Sequence, residues 1–137
     1  MIKSTTIIKI PFNDLDPMNI VWHGNYVKYL EQARCDLFEM IDYTYMNMYE
    51  DGYMYPIAKM DLKFIKPTTF NQKIEVECIL EEVEPAIIIS YTIKDIKTGE
   101  KIFKAKSTQI GILVNSKETV YQVPKKLIDK IKEYENA

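Results

Sequence analysis

The stretch Phe12-Asn13-Asp14-Leu15-Asp16-Pro17-Met18-Asn19-Ile20-Val21-Trp22-His23-Gly24-Asn25-Tyr26 is where the chain changes its hydrophobic period. Upstream, residues Thr5 to Phe12 read as a strand that Pro11 brings to a close. Asn13 to Asn19 carry the turn formers Asn, Asp and Pro and read as a loop. From about Gly24 the pattern becomes helical. Tyr26, Leu30, Ala33, Leu37, Met40 and Ile41 recur at steps of three and four, with Lys28, Glu31, Gln32 and Asp36 between them, which predicts an amphipathic helix of about four or five turns.

Beyond that helix, Tyr43 to Tyr55 is rich in Tyr and Met, and Thr44 is placed to cap a short helix that Gly52 ends. After Pro56 the period drops to two. Met60, Leu62 and Phe64 alternate with Lys59, Asp61 and Lys63, and Ile74, Val76 and Cys78 alternate with Lys73, Glu75 and Glu77, so both segments read as half-buried strands. Ile87, Ile89, Tyr91 and Ile93 form another. Lys97-Thr98-Gly99-Glu100 is a hairpin-turn signal before a long strand expected to run through Val114, and a last helix can start after Pro124. Strand, long helix, then four strands on short connections predicts an α+β chain with an antiparallel sheet and one helix on one face. Such a design leaves a sheet face and edges uncovered, so a homodimer or homotetramer is expected.

The 137 residues suit one domain, 1–137, and hence one site per chain. With 47% apolar and 28% charged residues and a net charge of −2, the composition is that of a globular protein, without the basic excess that nucleic acid would call for. No stretch approaches a membrane span. The opening Met-Ile-Lys-Ser-Thr-Thr-Ile-Ile-Lys-Ile alternates like a strand rather than a secretory leader. Cys35 and Cys78 have no metal-type spacing and read as free thiols of a reducing, cytoplasmic compartment. No metal site and no cofactor are expected.

The segment Phe12 to Tyr26, continuing into Tyr29-Leu30-Glu31-Gln32-Ala33-Arg34, resembles the signature of the 4-hydroxybenzoyl-CoA thioesterase-like acyl-CoA thioesterases. The shared features are an Asp-x-Asp-Pro turn, two β-branched residues, an aromatic residue, and an Asn-Tyr pair that opens the central helix. Pro67 to Val76 resembles that family's strand-linking turn, and Val123-Pro124 its entry to a C-terminal helix. The likeness runs from about Thr5 to Pro124. It implies a hot-dog fold, an antiparallel five-stranded β-sheet wrapped around one long central α-helix. Asn19 stands where many members have Gly, and Asn71 where an acidic residue is usual; asparagine accepts left-handed backbone, so the turn at Asn19 can be kept.

Thioester hydrolysis needs a carboxylate that attacks the carbonyl or activates water, and donors aimed at the oxygen that becomes negative. The resemblance assigns the first role to Asp16, as nucleophile or general base, although Asp before Pro is also an ordinary turn residue. A helix beginning near His23 would offer unpartnered N–H groups and a positive dipole end. The resemblance gives the backbone N–H of His23 the task of polarising the carbonyl, and its imidazole, the only one in the chain, could also move a proton. Asp14 reads as a brace of the loop. Trp22, Asn25 and Tyr26 are candidates to border the acyl group or to hold the loop, and Met60 to line an apolar substrate pocket, while Tyr29 and Glu31 support the helix. Met46, Met48 and Met54 could line the same flexible apolar pocket, although ordinary core packing is the simpler reading of each methionine taken singly.

The family's basic cluster for nucleotide phosphates lies near a turn that here reads Glu81-Glu82-Val83-Glu84-Pro85 and is acidic. Lys63, Lys66, Lys101, Lys104 and Lys106 are alternatives. Coenzyme A is the expected carrier of the acyl group, with an acyl carrier protein as its rival. A non-catalytic acyl-thioester binder is the competing function; a dehydratase lacks its His-Phe-Pro type segment here. Acyl identity and chain length are not written in the sequence.

Overall fold

The central helix α1 (Asn25–Met40) forms where the period of three and four sets in. Tyr26, Leu30, Ala33 and Leu37 are buried along one face, widened by Tyr29, Arg34 and Phe38, while Glu31, Gln32 and Glu39 face solvent. The helix starts at Asn25 with Gly24 as its cap, so His23 lies in the preceding turn rather than in the first helical turn. It ends at Met40, and Asp42, at φ 60°, reverses the chain just beyond; the N–H groups of Asp42 and Tyr43 return to the carbonyls of Glu39 and Phe38, closing the helix end. The computed structural model describes residues 1–137.

α1 packs over β1 (Ile2–Lys9) and β4 (Lys73–Glu82), two strands of a five-stranded antiparallel sheet. The others are β3 (Ile57–Phe64), β5 (Ile87–Asp95) and β6 (Lys101–Gln109), and the order across the sheet is β1-β4-β5-β6-β3. Alternation sets the inner face: Ile74, Val76 and Cys78 on β4 and Ile87, Ile89, Tyr91 and Ile93 on β5 are buried beneath the helix. This is the architecture expected of the hot-dog fold. Arg34 is buried in this layer, its guanidinium donating to the Tyr91 hydroxyl at 3.4 Å and lying 5.8 Å from the centre of the Tyr45 ring.

Several boundaries differ from the sequence reading. The first strand covers Ile2–Lys9 rather than Thr5 to Phe12, because its inward set is Ile2, Ser4 and Thr6 and the pairing with β4 ends at Lys9. The long strand expected to reach Val114 breaks after Gln109. Its continuation, β7 (Gly111–Leu113), leaves the main sheet for a small second one with β2 (Tyr53–Met54) and β8 (Thr119–Val120). Gly111 makes this crossing possible: a Cβ there would lie 2.9 Å from Val120 and 3.0 Å from the Tyr55 ring. β3 also departs from the half-buried expectation. It is an edge strand covered by no helix, with Leu62 at 38% and Phe64 at 51% exposure.

The short α2 (Tyr45–Glu50) is capped by Thr44, whose hydroxyl accepts the N–H of Asn47 while the Asn47 side chain answers to the Thr44 N–H. Gly52, at φ 94°, ends that segment as expected. α3 (Lys125–Glu135) follows Pro124 and buries Leu127.

Candidate active site

Asp16 opens a tight turn. Its carbonyl accepts the N–H of Asn19 at 3.0 Å, Pro17 occupies the second position, and Oδ1 accepts the N–H of Met18 at 2.8 Å. Asn19 adopts φ 64°, the left-handed geometry that an asparagine accepts in place of glycine. The Asp16 N–H donates to the Ile20 carbonyl at 2.8 Å, so the turn is held as a small hairpin with Leu15 bridged to Val21. That hairpin is tied in turn to the β3–β4 connection: Val21 N–H donates to the Thr68 carbonyl at 2.8 Å, and Ile20 bridges Thr69. The carboxylate is fixed through one oxygen, and Oδ2 has no hydrogen-bond partner within the chain.

Asp14, 4% exposed, braces the loop against α1. Its carboxylate accepts the Tyr29 hydroxyl at 2.6 Å and the Lys28 ammonium at 2.7 Å. Burial alone would raise its pKa, but the bonds and charge supplied by Lys28 and Tyr29 outweigh it and hold the group below the ordinary carboxylate value. Burial and the adjacent Asp14 charge push the Tyr29 hydroxyl far upward, so it remains a donor. The Asp14 carbonyl accepts both the Trp22 N–H, at 3.0 Å, and the Asn25 side-chain amide, at 2.8 Å. Loop and helix start are thus one rigid unit.

Between Trp22 and Asn25 the chain turns, with the Asn25 N–H returning to the Trp22 carbonyl at 2.9 Å. The N–H groups of His23 and Gly24 have no acceptor in the chain. They sit at the start of a 16-residue helix, where its dipole is positive. Asp16 and His23 line one cleft of about 300 Å³ with Met18, Ile20, Val21, Tyr26, Phe64, Ile65, Lys66 and Pro67. Its walls are largely apolar. Tyr26 stacks on Phe103 at 4.7 Å, meets Phe64 edge-on at 5.4 Å, and shares a 3.0 Å hydrogen bond with the Thr68 hydroxyl; burial raises its pKa, which keeps it a neutral phenol. At the rim Lys66 is paired with Glu100.

Of the residues singled out in the sequence, Asp16, His23 and Tyr26 therefore meet in one cleft. Asn25 holds the loop through the Asp14 carbonyl and does not line the cleft. Trp22 lies beside it, half exposed, its ring over Gly24 and 5.1 Å from the His23 ring. Met60 is on β3 opposite Ser107, away from the cleft lining. Phe64, Ile65 and Pro67 were not anticipated; they are distant in sequence, and only the bridges to Thr68 and Thr69 bring them to Asp16.

The model of the thioesterase-like superfamily matches residues 10–131. A candidate acyl-CoA thioesterase of Bacillus subtilis, YneP, is 26% identical over 106 residues, covering 77% of this chain and 76% of that one. Acyl-CoA thioesterase YbgC of Helicobacter pylori is 25% identical over 83 residues, 61% of this chain and 60% of its own length. Among solved structures, a DHNA-CoA thioesterase from Staphylococcus aureus superposes with a TM-score of 0.87 at 22% identity, over 99% of this chain and 93% of that one. A mutant 4-hydroxybenzoyl-CoA thioesterase holding 4-hydroxybenzoyl-CoA superposes with a TM-score of 0.83 at 18% identity, over 95% and 99%. At those identities the structures establish the fold. The family match spans the loop, the central helix and the whole sheet from β3 onward, and the chain belongs to the thioesterase-like superfamily.

Proposed function

We propose that this protein is an acyl-CoA thioesterase that hydrolyses its substrate to a free acid and coenzyme A. The observation that carries the reading is that Asp16, a carboxylate with one free oxygen, and His23, whose backbone N–H is unpaired, line one apolar-walled cleft, with the second unpaired N–H, that of Gly24, next in the chain at the helix start. A thioester carbonyl oxygen placed before the N–H groups of His23 and Gly24 gains hydrogen bonds that strengthen as it becomes negative. Asp16 then acts in one of two ways. As a nucleophile its carboxylate displaces the thiolate to form a mixed anhydride, which water cleaves; as a general base it takes a proton from the attacking water. Tyr26 and Phe64 border the acyl group, and the Asp14 brace holds Asp16 and the helix start in register.

The working unit we propose is a dimer, or a pair of dimers, in which a second copy covers the open edge at β3. Phe64 and Ile65 line the cleft and also belong to that exposed edge, so the second copy would close the acyl site. The names of the relatives YneP and YbgC support coenzyme A over an acyl carrier protein as the thiol. The test is release of free thiol from a panel of short, long and aromatic acyl-CoA thioesters and one acyl-carrier-protein thioester. Turnover of at least one acyl-CoA is expected. Tight binding of acyl-CoA without turnover would mean a binding protein instead, and turnover of the carrier-protein thioester alone would change the substrate.

A further inference from the structure

A second cleft, of about 530 Å³, opens at the same end of the sheet; it is lined only by the polar and charged residues Lys9, Thr69, Asn71, Gln72, Lys73, Asp95 and Lys97. Three cations meet here, and none forms an ion pair in the structure. Lys9 and Lys73 are directly opposite each other across the β1–β4 pairing, an arrangement that costs stability unless negative charge is supplied. The only carboxylate of the cleft, Asp95, is already engaged: Oδ1 accepts the N–H groups of Lys97 and Thr98, and Oδ2 accepts the Gln72 amide. Asn71, in left-handed backbone at φ 66°, contributes a neutral side chain. Phe70, 54% exposed, is the residue between the lining residues Thr69 and Asn71 and packs edge-on with Phe12 at 5.8 Å, which leaves an exposed aromatic pair on the same connection.

The two clefts are linked through the β3–β4 connection, which contributes lining residues to each. Thr69 lines the cationic cleft and bridges Ile20 of the catalytic cleft, while Pro67 lines the latter. Asn71 and Gln72 are hydrogen-bonded to Ile10, just before the Asp16 loop, at 3.1 and 2.9 Å. A ligand with its reacting end at Asp16 would have to follow this connection to meet the lysines, which calls for a long flexible arm between its acyl group and its phosphates. The alternative turn, Glu81 to Pro85, is acidic and repels phosphate.

We propose that Lys9, Lys73 and Lys97 hold the 3′-phosphate and pyrophosphate of coenzyme A, with Phe70 offered to the adenine. The assignment rests on the acyl-CoA reading, and it deepens that reading by giving the nucleotide a place. Lysine point charges suit phosphate groups whose orientation is not fixed by a planar fork.

The test compares the full-length wild type with a Lys9→Gln/Lys73→Gln/Lys97→Gln variant of unchanged melting temperature, and with a Lys125→Gln/Lys132→Gln control on the exposed side of α3. Calorimetry with coenzyme A and with 3′,5′-ADP is run beside kinetics on an acyl-CoA and on the same acyl group carried by pantetheine. Expected are a loss of roughly tenfold or more in affinity for both nucleotides and a matching rise in KM for acyl-CoA, with acyl-pantetheine kinetics and the control unchanged. Equal affinity in the triple variant, loss in the control instead, or inorganic phosphate competing as well as 3′,5′-ADP overturns the assignment. If the wild type hydrolyses no acyl-CoA, the functional reading fails, and the calorimetry alone still decides the nucleotide site.

Discussion

Replacing Asp14 by asparagine keeps the shape of the side chain and removes a negative charge that is almost fully buried and faces two donors. The Tyr29 bond, 2.6 Å long and buried, belongs to the class of hydrogen bonds to charged groups that contribute about 1.5–3 kcal/mol. The Lys28 bond adds less, roughly 0.2–1 kcal/mol, because the lysine side chain is 59% exposed and screened. The amide oxygen of asparagine still accepts the Tyr29 hydroxyl as a neutral partner, so a net loss of about 2 kcal/mol is expected at neutral pH, or roughly 6–10 °C in Tm for a chain of this size. The pH dependence has a definite sign. Asp14 is held below its unfolded pKa, so its stabilisation is fully present above the ordinary carboxylate value near 4 and is lost as pH falls through the lower folded value. Urea melts of wild type and Asp14→Asn at pH 7 and pH 3, at one protein concentration, should therefore show a difference that shrinks in acid. A difference below about 0.5 kcal/mol at pH 7, or one equally large at pH 3, would mean that the Asp14 charge does not brace the loop.

Gly111→Ala pushes a methyl group to 2.9 Å from Val120 and 3.0 Å from the buried Tyr55 ring and should cost about 1–3 kcal/mol, read by urea melts; an unchanged midpoint contradicts the close crossing of β6 into the small sheet. Leu62→Lys places a charge in the middle of the open β3 edge and should halve the mass measured by light scattering while lowering activity; a wild type that is already an active monomer contradicts the shared site.

How much of this was legible in the sequence varies with how local the cause is. α1 is dictated by a three- and four-residue period, and the caps at Thr44 and Gly52 by neighbours within one turn, so all three could be read directly. The turn at Asp16 to Asn19 was likewise written in Asp, Pro and Asn at fixed positions. The exposure of β3 was not: Met60, Leu62 and Phe64 alternate as in any half-buried strand, and only the sheet order reveals that α1 lies over β1 and β4 at the other side. The break after Gln109 was hidden for a similar reason, since Gly111 inside an apolar run signals a close approach only once Tyr55 and Val120 are in place. In the cleft, Asp16, His23 and Tyr26 come from one continuous segment, whereas Phe64, Ile65 and Pro67 arrive through pairing of Ile20 and Val21 with Thr69 and Thr68, for which no local signal exists. Met60 was apolar and in the right strand but sits about four residues along it from Phe64, away from the lining.

In the proposed reaction the Asp16 carboxylate carries the chemistry. Asp16→Asn keeps an acceptor for the Met18 N–H, so the turn and the melting temperature should be preserved, yet it can neither attack a carbonyl efficiently nor take a proton from water. The deciding measurement is thiol release from the best acyl-CoA substrate by purified wild type, Asp16→Asn and Asp14→Asn side by side. A fall of roughly 10²–10⁴-fold in kcat for Asp16→Asn with retained acyl-CoA binding, and a much milder effect for Asp14→Asn, is the predicted result. Near wild-type turnover by Asp16→Asn, above all with a dead Asp14→Asn, would contradict it.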